Sequence, residues 1–313
     1  MASAKVFPIS AGGRRWAVVL RNHLHAHPWP ALGLGVGLLA VLGLLAQSLV
    51  EFENLSPLAL RYASIGGAAG FAATTLGALP ALALRRLPQR VADVLLGFAA
   101  GMMLAASAFS LLLPGLAASM EIVGSKLLAV GIVTVGMALG VALMLGLDEF
   151  TPHEHENSGP CGPGHEKCSR LWLFVFAIAI HNLPEGMAIG VGFALSDMAV
   201  GLPLATAIAL QDIPEGLAVA LTMRAAGFTP PLAVGVASAT GLLEPLGALL
   251  GLGLASGLPI AYPTGLGLAA GAMIFVVSHE VIPETHRNGH QTPATIGLMA
   301  GFALMMALDT ALG

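Results

Sequence analysis

The chain has 313 residues, 56% of them hydrophobic and only 10% charged, with a formal net charge of −4. Soluble domains carry roughly 25% charged residues, so this deficit argues against a soluble protein and for an integral membrane protein. No basic stripe points to nucleic acid, and two cysteines, Cys161 and Cys168, cannot form a disulfide framework.

Near the N-terminus, Arg14, Arg15 and Arg21 precede an apolar run that begins at Leu32. That run is too long for a signal peptide and lacks a clear small-residue cleavage site, which predicts a retained helix. A spanning helix needs ~20 mostly apolar residues. The chain then divides into about nine such segments, at 31–50, 63–84, 91–114, 123–147, 171–195, 199–223, 229–256, 262–284 and 292–312. The expected fold is an all-α polytopic membrane protein. Gly66 with Gly70, and Gly136 with Gly140, have the spacing that lets helices pack closely, and are read as packing positions.

Loop charge orients the segments. Arg14, Arg15 and Arg21, then Arg85, Arg86 and Arg90, then Lys167 and Arg170, then Arg224, then Arg287 all fall on one side. The opposite loops hold Arg61 and Lys126 among Glu51, Glu53, Glu121 and Asp197. The N-terminus is therefore expected in the cytoplasm and the C-terminus outside. Residues 1–30 read as a cytoplasmic segment. The polar connection 148–170, rich in Pro, Gly, His and Glu, cannot bury a core and lies on the cytoplasmic side.

The chemistry concentrates in the fifth and sixth segments. His181-Asn182-Leu183-Pro184-Glu185-Gly186 is followed by Gln211-Asp212-Ile213-Pro214-Glu215-Gly216. Ionisable groups at membrane depth are costly and mark an ion or substrate path. On a helix His181 and Glu185 share a face, as do Gln211, Asp212 and Glu215. Consecutive spanning helices run antiparallel, so the motifs would face each other near mid-membrane as an internal inverted repeat. Pro184 and Pro214 each remove a helical donor and are expected to kink their helices. Imidazole, carboxylate and amide donors suit a divalent cation such as zinc, cadmium, iron(II) or manganese. Met103 is a soft donor in the third segment, or a packing group. Glu244, beside Pro245, is a further carboxylate in the seventh.

Ser278-His279-Glu280-Val281-Ile282-Pro283-Glu284-Thr285-His286 closes the eighth segment. With Asp148 and the loop residues His153 and His155, its His279 and Glu280 form a candidate exit path for metal. Glu284 and His286 are nearer the surface and read more readily as solvated polar groups. The second histidine of a zinc-protease motif would fall at position 283, which is Pro283. His165, Cys161 and Cys168 read as a solvated linker with weak metal affinity.

The consecutive HNLPEG and QDIPEG motifs resemble those of the ZIP family of divalent-metal transporters, particularly its bacterial members. The resemblance covers about residues 63–313, including a His-rich loop before the first motif. It implies an eight-helix transport domain over 63–313, to which 31–50 adds an extra helix. It also implies a binuclear metal site. One position would use Met103, His181, Glu185, Gln211, Asp212 and Glu215; the other would use Asn182, Glu185, Asp212, Glu215 and Glu244. Zinc would be the transported substrate, cadmium could substitute, and no organic cofactor is expected. The resemblance further implies a homodimer in the bacterial inner membrane and an elevator-like movement that delivers metal to the cytoplasm. The protein is then no enzyme. The rival readings are an intramembrane metal-dependent hydrolase or protease and a non-transporting metal sensor.

Overall fold

The computed structural model describes residues 23–50, 56–84, 87–150, 153–155, 159–161, 170–255 and 258–312. Almost all of them are helical. The helices are α1 (Pro28–Val50), α2 (Pro57–Ala78), α3 (Gln89–Ala106), α4 (Leu113–Val123), α5 (Lys126–Phe150), α6 (Arg170–Gly192), α7 (Met198–Ala225), α8 (Pro230–Thr240), α9 (Leu243–Ala255), α10 (Ala261–Val276), α11 (Ile282–His286) and α12 (Gln291–Leu312). A short antiparallel pair, β1 (His153–His155) and β2 (Gly159–Cys161), lies in the connection after α5.

Local chemistry sets the helix ends. The Ser56 hydroxyl accepts from the Ala59 amide ahead of Pro57, and the Asp197 carboxylate accepts from the Ala199 amide at the start of α7. Gly124, with φ of 64°, takes the left-handed conformation that stops α4.

Seven helical stretches among the described residues are long and apolar enough to cross a membrane: Pro57–Leu82, Gln89–Val123, Lys126–Phe150, Met198–Ala225, Pro230–Ala255, Ala261–His286 and Gln291–Leu312. Helices α1 and α6 have 23 residues each, which meets the ~20-residue span length. Of these seven, the α7 stretch is the most enclosed, 67% buried, and α12 the least, 17% buried. The second motif therefore sits at the centre of the bundle.

The termini of these helices meet in two sets. At one end His23 reaches Glu149 at the close of α5, Asp148 faces His279, and Asp93 near the start of α3 receives His290 at 2.7 Å. At the other end Ser56 meets Ser196 at 3.1 Å, between α2 and the α6–α7 turn. These pairings match the alternation of direction expected from loop charge.

Glycines set the spacing. A Cβ at Gly136 or Gly140 of α5 would strike the carbonyls of Thr264 and Leu268, and α10 replies with Gly267 and Gly271 against Val133 and Met137. The α3–α12 pair uses Gly97, Gly101, Gly297 and Gly301 in the same reciprocal way. Backbones that close leave room for no side chain, so small residues become the contact.

Pro184 and Pro214 lie inside unbroken helices. Each costs one backbone hydrogen bond, which a helix enclosed by protein tolerates. The chain departs from α-helix elsewhere, in π-helical turns at Ser107–Leu112 and Val277–Val281. Pro114 and Pro283 follow them, and each deprives a carbonyl inside the turn, that of Ser110 or His279, of its helical donor. The segment 229–256 is likewise two helices, parted at Gly241–Leu242 one residue before Glu244 is reached in the first turn of α9.

Gly140→Val is expected to cost about 1–3 kcal/mol through overpacking, read as a lower thermal midpoint of the purified protein in detergent. Gly131→Val, on the same helix with open space around it, is expected to leave the midpoint nearly unchanged.

Candidate metal centre

Helices α6 and α7 carry the two motifs side by side, and α2 and α9 flank them. Gly186, directly after Glu185, abuts the Glu244 carbonyl, and Gly190 abuts that of Ala248. Gly216, directly after Glu215, abuts the Thr74 carbonyl of α2. Each glutamate is thus followed by the glycine that admits the next helix. The Thr74 hydroxyl then donates to Glu244 Oε1 at 2.8 Å and joins the two flanks.

The ligand atoms of Glu185, Asp212 and Glu215 all lie within 4.8 Å of one another. Glu185 and Gln211 have no exposed surface, Asp212 is 1% exposed and Glu215 6%. Gln211 Nε2 donates to Glu185 Oε1 at 2.6 Å. Gly70 of α2 makes room for the rest. A Cβ there would lie 2.8 Å from the Glu244 carboxyl carbon and 3.2 Å from Asp212 Oδ2, and would collide with Glu244 Oε2. Asp212 and Glu244 therefore converge on the space that Gly70 leaves open.

Five buried oxygens here have no hydrogen-bond donor outside the carboxylate cluster itself: Asn182 Oδ1, Glu185 Oε2, Gln211 Oε1, Asp212 Oδ2 and Glu244 Oε2. A buried acceptor without a partner costs about 1–3 kcal/mol, more when charged. Five together, all acceptors, describe a cavity built for a cation or for protons. Oxygen donors with a nearby imidazole fit a divalent transition metal.

Other predicted residues fall around this core. His181 is buried on α6 one turn before Glu185, and Asn182 is 2% exposed. Met103 is 1% exposed on α3, where Ser107 donates back to its carbonyl, and its side chain belongs to the apolar core.

The exit-path residues gather less tightly. His279 Nε2 lies 3.6 Å from Asp148 Oδ2, and the His279 ring packs on Phe275. Glu280 is its neighbour in the same π turn. Glu284 faces Arg287 at 3.3 Å, and His286 Nδ1 faces the Thr285 hydroxyl and the Ile282 carbonyl. Glu284 and His286 thus make local contacts of the surface kind. The backbones of His153 and His155 form β1, and their side chains, like the whole of His165 and Cys168, lie outside the described residues.

Three positions escaped sequence reading. Gly70 looked like a packing residue and instead cradles carboxylates. Thr74 and Gly241, the latter 3.2 Å from Glu244 Oε1 for a built Cβ, shape the Glu244 pocket. Only the Gly66–Gly70 spacing could have hinted at one of them.

Known proteins bear on this geometry. The family model described as ZIP Zinc transporter matches residues 151–309, a span that contains both motifs, Glu244 and His279. The chain belongs to the ZIP family. It is 61% identical to zinc transporter ZIPB of Bordetella bronchiseptica over 302 residues, 95% of this chain and 98% of that protein. It is 41% identical to zinc transporter GufA of Myxococcus xanthus over 245 residues, 77% of this chain and 95% of that protein. Human zinc transporter ZIP11 is 32% identical over 307 residues, covering 72% of this chain and 90% of that one. ZIP proteins are transporters and not enzymes, and this member is a multi-pass membrane protein.

Gly70→Ala is expected to weaken zinc binding about 10–100-fold, the range seen when the groups that position metal ligands are disturbed. Titration calorimetry on the detergent-purified protein measures it, with retention on size exclusion showing that the fold survives.

Proposed function

We propose that this ZIP protein moves zinc, and related divalent metals, through the carboxylate-lined centre between α6 and α7. The observation that carries this reading is the set of five donor-less oxygens around Glu185, Asp212, Glu215 and Glu244, buried in a helical membrane protein. The curated relatives named above are zinc transporters, which supports zinc as the substrate.

In this proposal the ion occupies two adjoining positions. The first draws on Met103, His181, Glu185, Gln211, Asp212 and Glu215. The second draws on Asn182, Glu185, Asp212, Glu215 and Glu244. Shared carboxylates fit the crowding of Glu185, Asp212 and Glu215, and the meeting of Asp212 with Glu244 at Gly70. Cadmium fits the same mixed nitrogen–oxygen donor set. Asp148, His279 and Glu280 supply further ligands where the ion leaves.

Direction and assembly complete the proposal. Metal passes to the cytoplasmic side, where loop charge puts the N-terminus and the connection after α5. The protein works in the bacterial inner membrane as a homodimer, and α6 and α7 move with the ion against the rest in an elevator-like step. Residues 1–30 form a cytoplasmic segment, 31–50 an added helix, and 63–313 the transport domain. Because ligands must shed protons to take a metal, ion entry releases protons from the site. A hydrolase reading lacks support, because the only HE pair among the membrane helices, His279-Glu280, is followed by Pro283 where a second zinc-binding histidine would stand.

Glu185→Ala and Glu215→Ala are each expected to abolish zinc flux in proteoliposomes while the protein keeps its helical signal and oligomeric profile. Full transport by both variants would overturn the assignment. A pH dye in weakly buffered solution should report acidification when zinc is added to the wild-type protein, and clearly less with Glu185→Ala.

A further inference from the structure

The described part of the chain before α1 is helical at His23–Ala26. His23 and His27 are four residues apart, so their rings share one face, and the centroids lie 4.4 Å apart. Both address the last turn of α5. His23 Nε2 and His27 Nδ1 each lie 3.1 Å from the same oxygen, Glu149 Oε1. The His23 nitrogen is also 3.0 Å from the Glu149 carbonyl, and its ring stands edge-on to Phe150. One ligand atom from each of the three residues falls within 4.8 Å of the others.

The support beneath this cluster is firm. Helix α1 packs on α5 with Gly33 and Gly37 against Ala142 and Leu143, and with Gly146 against Leu34. The two helix ends that bear the ligands are therefore held in register by backbone-close contact. In tetrahedral zinc sites, nitrogen and oxygen ligands at roughly 2.0–2.2 Å from the ion stand a little over 3 Å from one another. The observed 3.1 Å separations match that spacing. The exposures, 18% for His23, 42% for His27 and 22% for Glu149, leave one side open for water or a fourth ligand.

We propose that His23, His27 and Glu149 form an accessory zinc site that staples the segment before α1 to the end of α5. It is separate from the carboxylate centre and stands beside Asp148, the neighbour of Glu149, which turns instead toward His279. The two imidazoles and one carboxylate suit zinc over magnesium or calcium, which prefer all-oxygen shells. Filling the site ties the added helix to the side of the bundle where the connection after α5 begins.

The test uses the full chain, purified in detergent and stripped of metal, with zinc alone as the probe. Histidine modification by diethyl pyrocarbonate, mapped by mass spectrometry, is followed with and without zinc. Ligation through one ring nitrogen leaves the other as N–H, which does not react. Zinc should slow modification of His23 and His27 several-fold and leave His25, on the intervening position, unchanged. Protection should persist in Glu185→Ala/Glu215→Ala, so this result stands apart from the fate of the central assignment. Equilibrium dialysis should show one fewer zinc bound per protomer in both His23→Ala/His27→Ala and Glu149→Gln, and no loss in His25→Ala. Unchanged reactivity of His23 and His27 with zinc, or equal protection of His25, would overturn the site and leave a hydrogen-bonded cluster only.

Discussion

The structure turns on an electrostatic mismatch at its centre. Glu185, Asp212, Glu215 and Glu244 are enclosed in helices that otherwise present apolar atoms, and the donors that reach them are few. Gln211 serves one oxygen of Glu185, and Thr74 serves one oxygen of Glu244. Carboxylates taken out of water and left in mutual repulsion are far costlier than the two hydrogen bonds can offset. Protons or a cation must supply the balance. A site with that property holds its charge only as long as something positive occupies it, which is the condition a carrier of divalent ions has to meet.

Holding four carboxylates together requires that four helices approach closely, and glycine does that work in a repeated manner. The glycine after each motif glutamate meets the carbonyl of a residue whose side chain completes the site: Gly186 meets Glu244, and Gly216 meets Thr74. Thr74 and Glu244 then bond to each other. The repeated Pro-Glu-Gly is thus a unit that positions one ligand and one helix contact at the same time. The same pairing logic recurs outside the site, where α3–α12 and α5–α10 exchange glycines reciprocally and both α3 and α10 run into a π turn ahead of a proline.

Much of this was legible in sequence because membrane spans and buried ionisable residues are strong, local signals. Most spans found by length alone end within a few residues of the observed helices, though the third, placed at 91–114, runs on to Val123 and the second, placed from 63, begins at Pro57, and Glu244 stood out because a carboxylate in an apolar run has few structural uses. What stayed hidden depended on depth and direction. Gly70 has the same small-xxx-small spacing as Gly136 and Gly140, and only the facing helix distinguishes a cradle for Glu244 from a contact with Leu268. The prolines carry a related lesson. A missing donor is written in the sequence, but whether the chain leaves α-helical geometry beside it depends on the neighbours, and Pro114 and Pro283 sit beside π turns while Pro184 and Pro214 do not. The pair His23 and His27 is separated from Glu149 by more than a hundred residues, and no periodicity links the pair to it.

The chain also grades its metal-competent groups by exposure. The central carboxylates are 0–6% exposed, Asp148 and His279 are 15% and 45%, and His23, His27 and Glu149 are 18%, 42% and 22%. Attraction between an ion and a carboxylate weakens as the surroundings become more like water, and so does the penalty for stripping the ion of its own shell. On the proposed route an ion leaving the centre exchanges several poorly solvated carboxylates for a carboxylate and an imidazole that water can reach. Conduction needs binding that is favourable enough to enter and weak enough to leave. Asp148 and Glu149, adjacent at the end of one helix but turned to opposite partners, divide that wetter end into two places. One lies where the ion would be released, and the other, at His23 and His27, ties the added helix to the bundle.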